Sequence, residues 1–317
     1  MYKEKLSTFS LSNQHLSSLF EEKIFSLVGV RGFCTNESKE DSKIAHKNIL
    51  ALVEGQAAFL DYLHGTRGLQ FTDAENISKN SPIFLGRLLK KVENEEEIGR
   101  ALMRYFRYHP INEFEPFFES LGLKPSEYNP FLPRELMFLA DDVTLLENYH
   151  ALCNYGIAHG KIGKIYKEAT EVFRYSFGLL GLKLQAYEGL GLSKSSVTKL
   201  VASSPQLLVG EIDREFVKLL EQLESIGMQR DWIGGIVSEK NTYNWNRILM
   251  FLQFLHHLGL SGQVIVTLIR RHASIISDGS GKTVFLLIGL MVKMGARERE
   301  IITMFTQFPC VQIGSFY

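Results

Sequence analysis

The chain has 317 residues, of which 45% are hydrophobic and 22% are charged, proportions that are ordinary for a globular protein of one or two domains. Basic and acidic residues number 35 each, which excludes a chain that is basic throughout, so any basic surface must be local. The three cysteines lie far apart without a CxxC pair, as is typical of a reducing compartment. No apolar run reaches the roughly 18 residues of a membrane span, so we expect no membrane insertion.

The first residues differ in composition from the rest of the chain. Residues 1–34 contain six serines and end in the letters RGFC. An arginine shortly before an aromatic and a small residue resembles the processing end of a mitochondrial transit peptide, which we assign to residues 1–34. Three glutamates in this stretch are unusual for such peptides, so an ordinary N-terminus remains the alternative. The polar stretch that follows predicts a linker, and we assign a linker and an N-terminal helix to residues 35–65.

From residue 66 onward the chain repeats itself with a period near 35 residues. An apolar residue precedes a glycine at the end of successive amphipathic runs, at Gly122, Gly156, Gly191, Gly227, Gly259 and Gly295. These glycines are separated by 34, 35, 36, 32 and 36 residues, and an earlier mark lies at Gly68. Prolines follow the glycines in constant phase, at Pro82, Pro205 and Pro309. Three units have another residue in the proline place, namely Thr170, Asn241 and Ala273.

Each unit has the pattern of a short helix, a turn and a long helix. In residues 191–227, Ser193 can cap a short helix that stops before Pro205, because proline removes an amide donor. Apolar residues from Ile212 to Ile226 then recur on one helical face, and a glycine ends that helix. Glycines that follow the proline place predict the turn, at Gly86, Gly210, Gly279 and Gly314. Such a pair buries its second face only against a neighbour, so the units predict an all-α solenoid.

The stretch SDGSGKTV at residues 277–284 also suggests a nucleotide-binding loop, because Gly281-Lys282-Thr283 resembles the end of that motif. The full motif needs a glycine five residues earlier, where Ile276 stands, and a strand that leads into the loop. Asp278 and Ser280 fit better as caps of the following helix. An NTPase is therefore the least favoured of three functions, and we expect no enzyme.

Histidine and cysteine clusters are sparse. His150, Cys153 and His159 are spaced loosely like metal ligands, but no fourth ligand lies nearby in the sequence. The adjacent His256 and His257 point to different faces of a helix and cannot bind one ion together. We therefore expect neither a metal nor a cofactor.

The order apolar-Gly-apolar, short helix, Pro-x-apolar-apolar, long helix resembles the mitochondrial transcription termination factor (mTERF) family. The resemblance is sharpest over residues 190–228, and residues 259–279 and 294–314 echo it. It covers roughly residues 66–317, which we assign to an mTERF repeat array with an incomplete last repeat. It implies a right-handed superhelical solenoid in which each unit has two helices and a short 3₁₀ turn.

The same resemblance implies what the protein does. It implies a monomer without catalytic centre or cofactor that binds double-stranded DNA or RNA of an organelle genome along a groove. Such a protein regulates transcription, including termination, or transcript processing, together with other organellar gene-expression proteins. The degenerate middle units resemble the plant branch of the family. The RGFC ending favours the mitochondrion, with the chloroplast as the alternative.

Two alternatives remain open. Pentatricopeptide repeats share the period and bind RNA, and the letters NTYNWNRIL at residues 241–249 resemble them. The phased prolines and closing glycines favour the mTERF family instead. The second alternative concerns function, since a net charge of zero also fits a helical-repeat scaffold for protein partners that does not bind nucleic acid.

A local excess of basic residues predicts the contact surface. Residues 156–199 hold seven basic residues against three glutamates, a local charge of +4. Further basic residues lie at the helix ends around residues 270–282. The predicted nucleic-acid-binding residues are Lys161, Lys164, Lys167, Arg174, Lys183, Lys194, Lys199, Arg270, Arg271 and Lys282. A solvated helix face is the alternative for each of them. The arginines at residues 100–107 follow four glutamates, which predicts pairing within their own helix.

Overall fold

The computed structural model describes residues 39–238, 243–271 and 280–307. Throughout these ranges the chain forms helices and turns and no strand, which confirms the all-α prediction. None of the helices in these ranges combines the length and the apolar character needed to cross a membrane. The chain divides into two compact units, residues 1–50 and residues 51–317. Of the first unit, only residues 39–50 fall within the described ranges, and they are helical.

The N-terminal part contains six helices: α1 (Lys39–Asp61), α2 (Phe71–Asn80), α3 (Pro82–Lys91), α4 (Ile98–Tyr108), α5 (Phe114–Ser120) and α6 (Pro125–Tyr128). A π-helical turn continues α1, and two 3₁₀ turns lead to the next helix (Asn129–Phe131 and Leu139–Asp141). Helix α1 begins inside the segment 35–65, for which a linker and a helix are predicted, whereas the predicted transit peptide lies outside the described residues. The segment boundaries themselves remain predictions.

The repeats follow in regular order. Long helices are α7 (Val143–Tyr155), α9 (Leu179–Gly189), α11 (Arg214–Ser225), α13 (Trp245–His257) and α15 (Ser280–Lys293). Short helices are α8 (His159–Glu168), α10 (Lys194–Ser203), α12 (Ile233–Ile236), α14 (Gly262–Arg271) and α16 (Glu298–Gln307). In the part of the repeats that the structure describes, 3₁₀ turns follow the short helices at Thr170–Arg174 and Pro205–Leu208, and another precedes α12 at Arg230–Trp232. The predicted order of short helix, 3₁₀ turn and long helix is therefore present in these two units.

A left-handed glycine ends each repeat, as the period predicts. All seven marker glycines have φ between 75° and 103°, which glycine adopts at no steric cost. In the turn at Gly227, the amide of Met228 donates to the carbonyl of Leu223 at 3.0 Å, the hydrogen bond of a Schellman motif. Met228 is only 3% exposed, and so is Ile157 at the corresponding place after Gly156. The apolar-Gly-apolar mark thus combines a helix stop with a buried anchor.

The unit at residues 191–227 has the predicted local structure. The Ser193 hydroxyl caps α10 by accepting from the Ser196 amide at 3.2 Å. Helix α10 stops two residues before Pro205, which opens the 3₁₀ turn. The Asp213 carboxylate then caps α11 by accepting from the Phe216 amide at 3.0 Å. In the preceding unit Thr170 opens a 3₁₀ turn without a proline, so the turn does not depend on that residue.

Helices of one kind pack against their counterparts in the neighbouring unit. Long helix α11 packs on α13 and α9 packs on α7, whereas short helix α10 contacts α8 and α12. Fully buried side chains of the long helices form the core, among them Leu184, Phe216, Leu220 and Leu252. This packing between consecutive units is what a one-dimensional helical array requires.

The turn predicted at Gly86 is wrong, because Gly86 lies inside helix α3. The Glu119 carboxylate accepts from the amides of Ile83 and Phe84 at 2.6 and 2.9 Å, so the first turn of α3 is capped by a distant residue. Phe84 is also buried, which fixes the helix against the core. The turn glycine Gly210 is confirmed, with φ of 65°. Gly279 and Gly314 lie outside the described residues, as do Asn241, Ala273 and Pro309.

Close approach between units depends on a glycine in helix α8. A Cβ atom added to Gly163 would lie 2.4 Å from the carbonyl oxygen of Leu121, the residue that precedes the left-handed Gly122. The Gly163 amide donates to that same carbonyl at 3.1 Å. Helix α8 can therefore approach the end of α5 only with glycine at this position.

We expect Gly163→Ala to lower the free energy of unfolding by about 1–3 kcal/mol, because the new methyl group overlaps backbone atoms that cannot move independently. Gly160→Ala in the same helix is the matched control, since nothing lies within 4 Å of the added Cβ atom. That control should be neutral or stabilising, by less than about 1 kcal/mol. Urea unfolding followed by circular dichroism measures both, and equal stability of the two variants would contradict the close contact.

Candidate nucleic-acid interface

The three predicted lysines of helix α8 have different surroundings. Lys164 is half-buried and its ammonium donates to the carbonyl oxygen of Ser203 at 2.8 Å, at the end of α10. Lys167 is exposed and forms an ion pair with Glu127, with 2.8 Å between Nζ and Oε1. Lys161 is half-buried. The even spacing of three residues therefore does not produce a single row of equivalent cations.

Lys164 and Lys199 occupy equivalent positions in consecutive units, 35 residues apart. Lys199 donates to the carbonyl oxygen of Gly234 at 3.2 Å, in the next short helix, just as Lys164 does to Ser203. Each ammonium group uses one of its three N–H donors in this bond. These two predicted contact residues therefore connect neighbouring units, whatever else they bind.

Carboxylates from outside the basic segment neutralise part of its charge. The hydrogen bond between Lys167 and Glu127 lowers the pKa of Glu127 and raises the pKa of Lys167. Arg174 forms two hydrogen bonds of 2.9 Å to the carboxylate of Asp142. That carboxylate also caps α7 through the amide of Leu145, and Asp142 is nearly buried whereas the Arg174 side chain is 57% exposed. The local charge of +4 thus overstates the positive charge that is available to a ligand.

Lys183 lies against the ring of Tyr175, the residue that follows Arg174 in the chain. The Lys183 ammonium lies 5.1 Å from the ring centroid of Tyr175 and donates to the carbonyl oxygen of Gly210. The Tyr175 hydroxyl in turn donates to the Leu208 carbonyl at 2.9 Å, so the next 3₁₀ turn supports the cluster. Beside it the Phe177 side chain is 87% exposed. We call Arg174, Tyr175, Phe177 and Lys183 the 174–183 surface.

The remaining predicted residues lie elsewhere or are not described. Lys194 is exposed at the start of α10, with its ammonium 5.0 Å from the ring of Tyr155. Helix α10 separates it by about 14 Å from the end where Lys164 binds. Arg270 is exposed in the last turn of α14, and the side chains of Arg271 and Lys282 lie outside the described residues. The structure thus places Lys183 against Tyr175, the residue that follows Arg174 in the chain, whereas Lys194 lies against the ring of Tyr155.

Among the histidines and the cysteine with loose metal-ligand spacing, His159 Nδ1 lies 3.5 Å from Cys153 Sγ, whereas His150 has a different partner. His150 Nε2 lies 2.7 Å from Asp73 Oδ2 in helix α2, whereas His159 Nδ1 lies 2.8 Å from the Tyr149 hydroxyl. Burial raises the pKa of the Cys153 thiol to about 11, so the thiol remains protonated at neutral pH. In the described part of the chain, no group of three or more His, Cys, Asp or Glu side chains could hold a metal ion.

Sequence reasoning missed Phe177 and simplified the arginines of helix α4. Phe177 lies between a 3₁₀ turn and Gly178. Because this position falls outside the apolar period, the sequence already indicated that its side chain does not belong to the core. On α4, Arg100 pairs with Glu97 at 2.8 Å, as predicted. For the exposed Arg104 and Arg107, no ion pair occurs among the described residues. The prediction of pairing within the helix is therefore correct for one arginine of three.

Stacked units of two helices and a 3₁₀ turn, each closed by a left-handed glycine, define an all-helical repeat protein. The chain belongs to the mTERF family, since the family model described as mTERF matches residues 149–315. The resemblance noted from the sequence is thereby confirmed.

One curated relative supports the same family. The chain is 29% identical over 269 residues to the protein "Transcription termination factor MTEF18, mitochondrial" of Arabidopsis thaliana. The aligned region covers 83% of this chain and 47% of the relative, so the chain spans about half of the relative's length. No solved structure matches the chain.

We expect Lys164→Met to lower the free energy of unfolding by about 1 kcal/mol, because the Ser203 carbonyl loses a charge-assisted hydrogen bond that links two units. Lys218→Met is the matched control. Its ammonium makes an exposed pair with Glu215 inside one helix, so the change should stay below about 0.5 kcal/mol. Urea unfolding of both variants measures the difference. An equal loss would show that the bond between units stabilises the fold no more than an exposed ion pair within one helix.

Proposed function

We propose that this chain binds double-stranded nucleic acid of an organelle genome and thereby regulates transcription, including termination, or transcript processing. The observation that carries the proposal is the 174–183 surface, which lies within the family match and combines two cations with an exposed ring. The name of the Arabidopsis relative, a mitochondrial transcription termination factor, supports both the process and the compartment. We place the protein in the mitochondrion, with the chloroplast as the alternative.

The 174–183 surface suits a phosphodiester backbone. The Lys183 ammonium uses one N–H for the Gly210 carbonyl and keeps two for a ligand. Arg174 is held by Asp142 on one side, and more than half of its side chain remains open to solvent. Cations placed in this way neutralise phosphates and release counterions, which gives affinity without sequence readout. Phe177 adds an exposed apolar ring that can contact sugars and bases.

In this proposal the protein acts by binding and not by catalysis. Lys164 and Lys199 are bonded to backbone carbonyls and Arg174 to a carboxylate, an arrangement that positions charge without activating a nucleophile. Regulation then follows from occupancy of the nucleic acid, alone or with other organellar gene-expression proteins. Lys164, Lys167, Lys194 and Lys199 remain proposed contacts of lower rank, together with Lys161 and the three basic residues at 270–282.

We expect Lys183→Gln to weaken binding to a duplex of about 20 base pairs and to reduce the slope of log K against log salt by about one unit, because one phosphate contact is lost. Fluorescence anisotropy on a DNA duplex and an RNA duplex, each over a range of KCl concentrations, measures affinity and slope. The two duplexes also decide which nucleic acid is preferred.

The control for this measurement is Lys218→Gln, which removes the same charge from the exposed face of α11. It should leave the slope unchanged. If Lys183→Gln and Lys218→Gln give the same slope as the wild type, the 174–183 surface is not the contact. If neither duplex binds to the wild type at low salt, the alternative of a protein-interaction scaffold is favoured.

We expect Phe177→Ala to lower duplex affinity by about threefold to tenfold while the salt slope stays constant, because an apolar contact is lost and no charge changes. The free energy of unfolding should stay within about 0.5 kcal/mol of the wild type, since the 87% exposed ring contributes little to the core. Anisotropy and urea unfolding on the same preparations separate the two effects. Unchanged affinity would remove Phe177 from the interface.

A further inference from the structure

A small pocket lies between the end of helix α3 and one face of helix α4, outside the residues that match the family. Its volume is about 220 Å³. The side chains that matter for its chemistry are Lys91, Glu95, Arg104, Tyr105, Tyr108 and His109. We call it the α3–α4 pocket. None of the residues predicted from the sequence to bind nucleic acid lies in it.

The charge of the α3–α4 pocket favours an anion. Lys91, in the last turn of α3, and Arg104 provide two cations against the single carboxylate of Glu95. Arg104 forms no ion pair with any of the residues that the structure describes, and it is exposed. Arg100, one helical turn earlier, differs because its guanidinium is bound to Glu97. Arg104 is therefore the arginine of this helix that lines the α3–α4 pocket without an ion pair to a described residue, and its other side borders a second pocket that Glu54, Asp61, Glu96 and Glu97 line.

Aromatic rings form the rest of the pocket. Tyr105 and His109 stack on each other, with 4.6 Å between ring centroids and an interplanar angle of 30°. The Tyr108 side chain is 70% exposed beside them. An exposed ring next to two cations is the combination with which proteins hold unpaired nucleotides, since the base stacks on the ring and the phosphate meets the cations.

We propose that the α3–α4 pocket is a second nucleic-acid site, which takes one unpaired nucleotide with its phosphate on Lys91 and Arg104 and its base against Tyr108. The proposal rests on the proposed function, but it concerns a different surface and a different form of nucleic acid. In a duplex the base faces are stacked on one another, so they are not available for stacking on Tyr108. An acidic peptide would also leave the ring unused, which is why we favour a nucleotide.

The experiment compares a fluorescein-labelled single strand of about 15 nucleotides with a duplex of about 20 base pairs, both bound to the full chain. Arg104→Gln and Tyr108→Ala should each weaken single-strand binding by about tenfold and leave duplex binding within about twofold. Arg100→Gln is the matched control, because it removes the same group from the same helix outside the pocket. It should change neither affinity by more than about twofold.

Several results would overturn the proposal. Equal loss from Arg104→Gln and Arg100→Gln would indicate a general charge effect, and no loss from either pocket variant would leave the site without a ligand. A glutamate-rich peptide that needs Arg104 while the single strand does not would assign the pocket to acidic peptides. Failure of the proposed function is distinguishable, since Lys183→Gln reports on the duplex and the pocket variants report on the single strand. Both substituted side chains are exposed, so we expect the variants to fold. Circular dichroism checks this.

Discussion

At the end of every long helix the chain must reverse direction while the last carbonyl groups keep hydrogen-bond partners, and the rest of the structure depends on how this is achieved. A left-handed glycine provides the turn, and the buried apolar residue after it anchors the turn in the core. The next unit supplies further donors. The amide of Gly163 bonds to the Leu121 carbonyl, and Arg230 Nη1 bonds to the Leu190 carbonyl at 3.2 Å. One turn thus closes a unit and provides the contact point for its neighbour.

The same requirement explains why basic residues recur with the period. A carbonyl at the end of a helix carries partial negative charge, and a lysine from the preceding unit satisfies it, as Lys164 and Lys199 do. Part of the basic excess is therefore used inside the array. The cations that we favour as contacts are Arg174, which stays exposed beside Asp142, and the half-buried Lys183, which lies against Tyr175 at the turn that joins the next unit.

In the N-terminal part, two buried glutamates connect segments that are distant in the sequence. Glu113 is fully buried and accepts from Arg67 at 2.7 Å and from the Leu139 amide at 2.8 Å. Burial raises its pKa, although these hydrogen bonds act in the opposite direction. Glu119 performs a similar task at the start of α3. Such long-range bonds stabilise the segment from Gly68 to Gly122, whose spacing of 54 residues departs from the regular period.

The sequence by itself determined the period, the left-handed glycines, the Ser193 cap and the unit of two helices separated by a short turn. These features depend on backbone sterics and on hydrogen bonds between residues close in the chain, which the local pattern contains. Only the tertiary structure decided that Gly86 lies in a helix, that Lys164 and Lys199 bind carbonyls, and that Phe177 is exposed. Each of these depends on the presence or absence of a partner about 30 to 40 residues away. A local sequence pattern does not determine which distant atom will contact a given donor, acceptor or apolar ring.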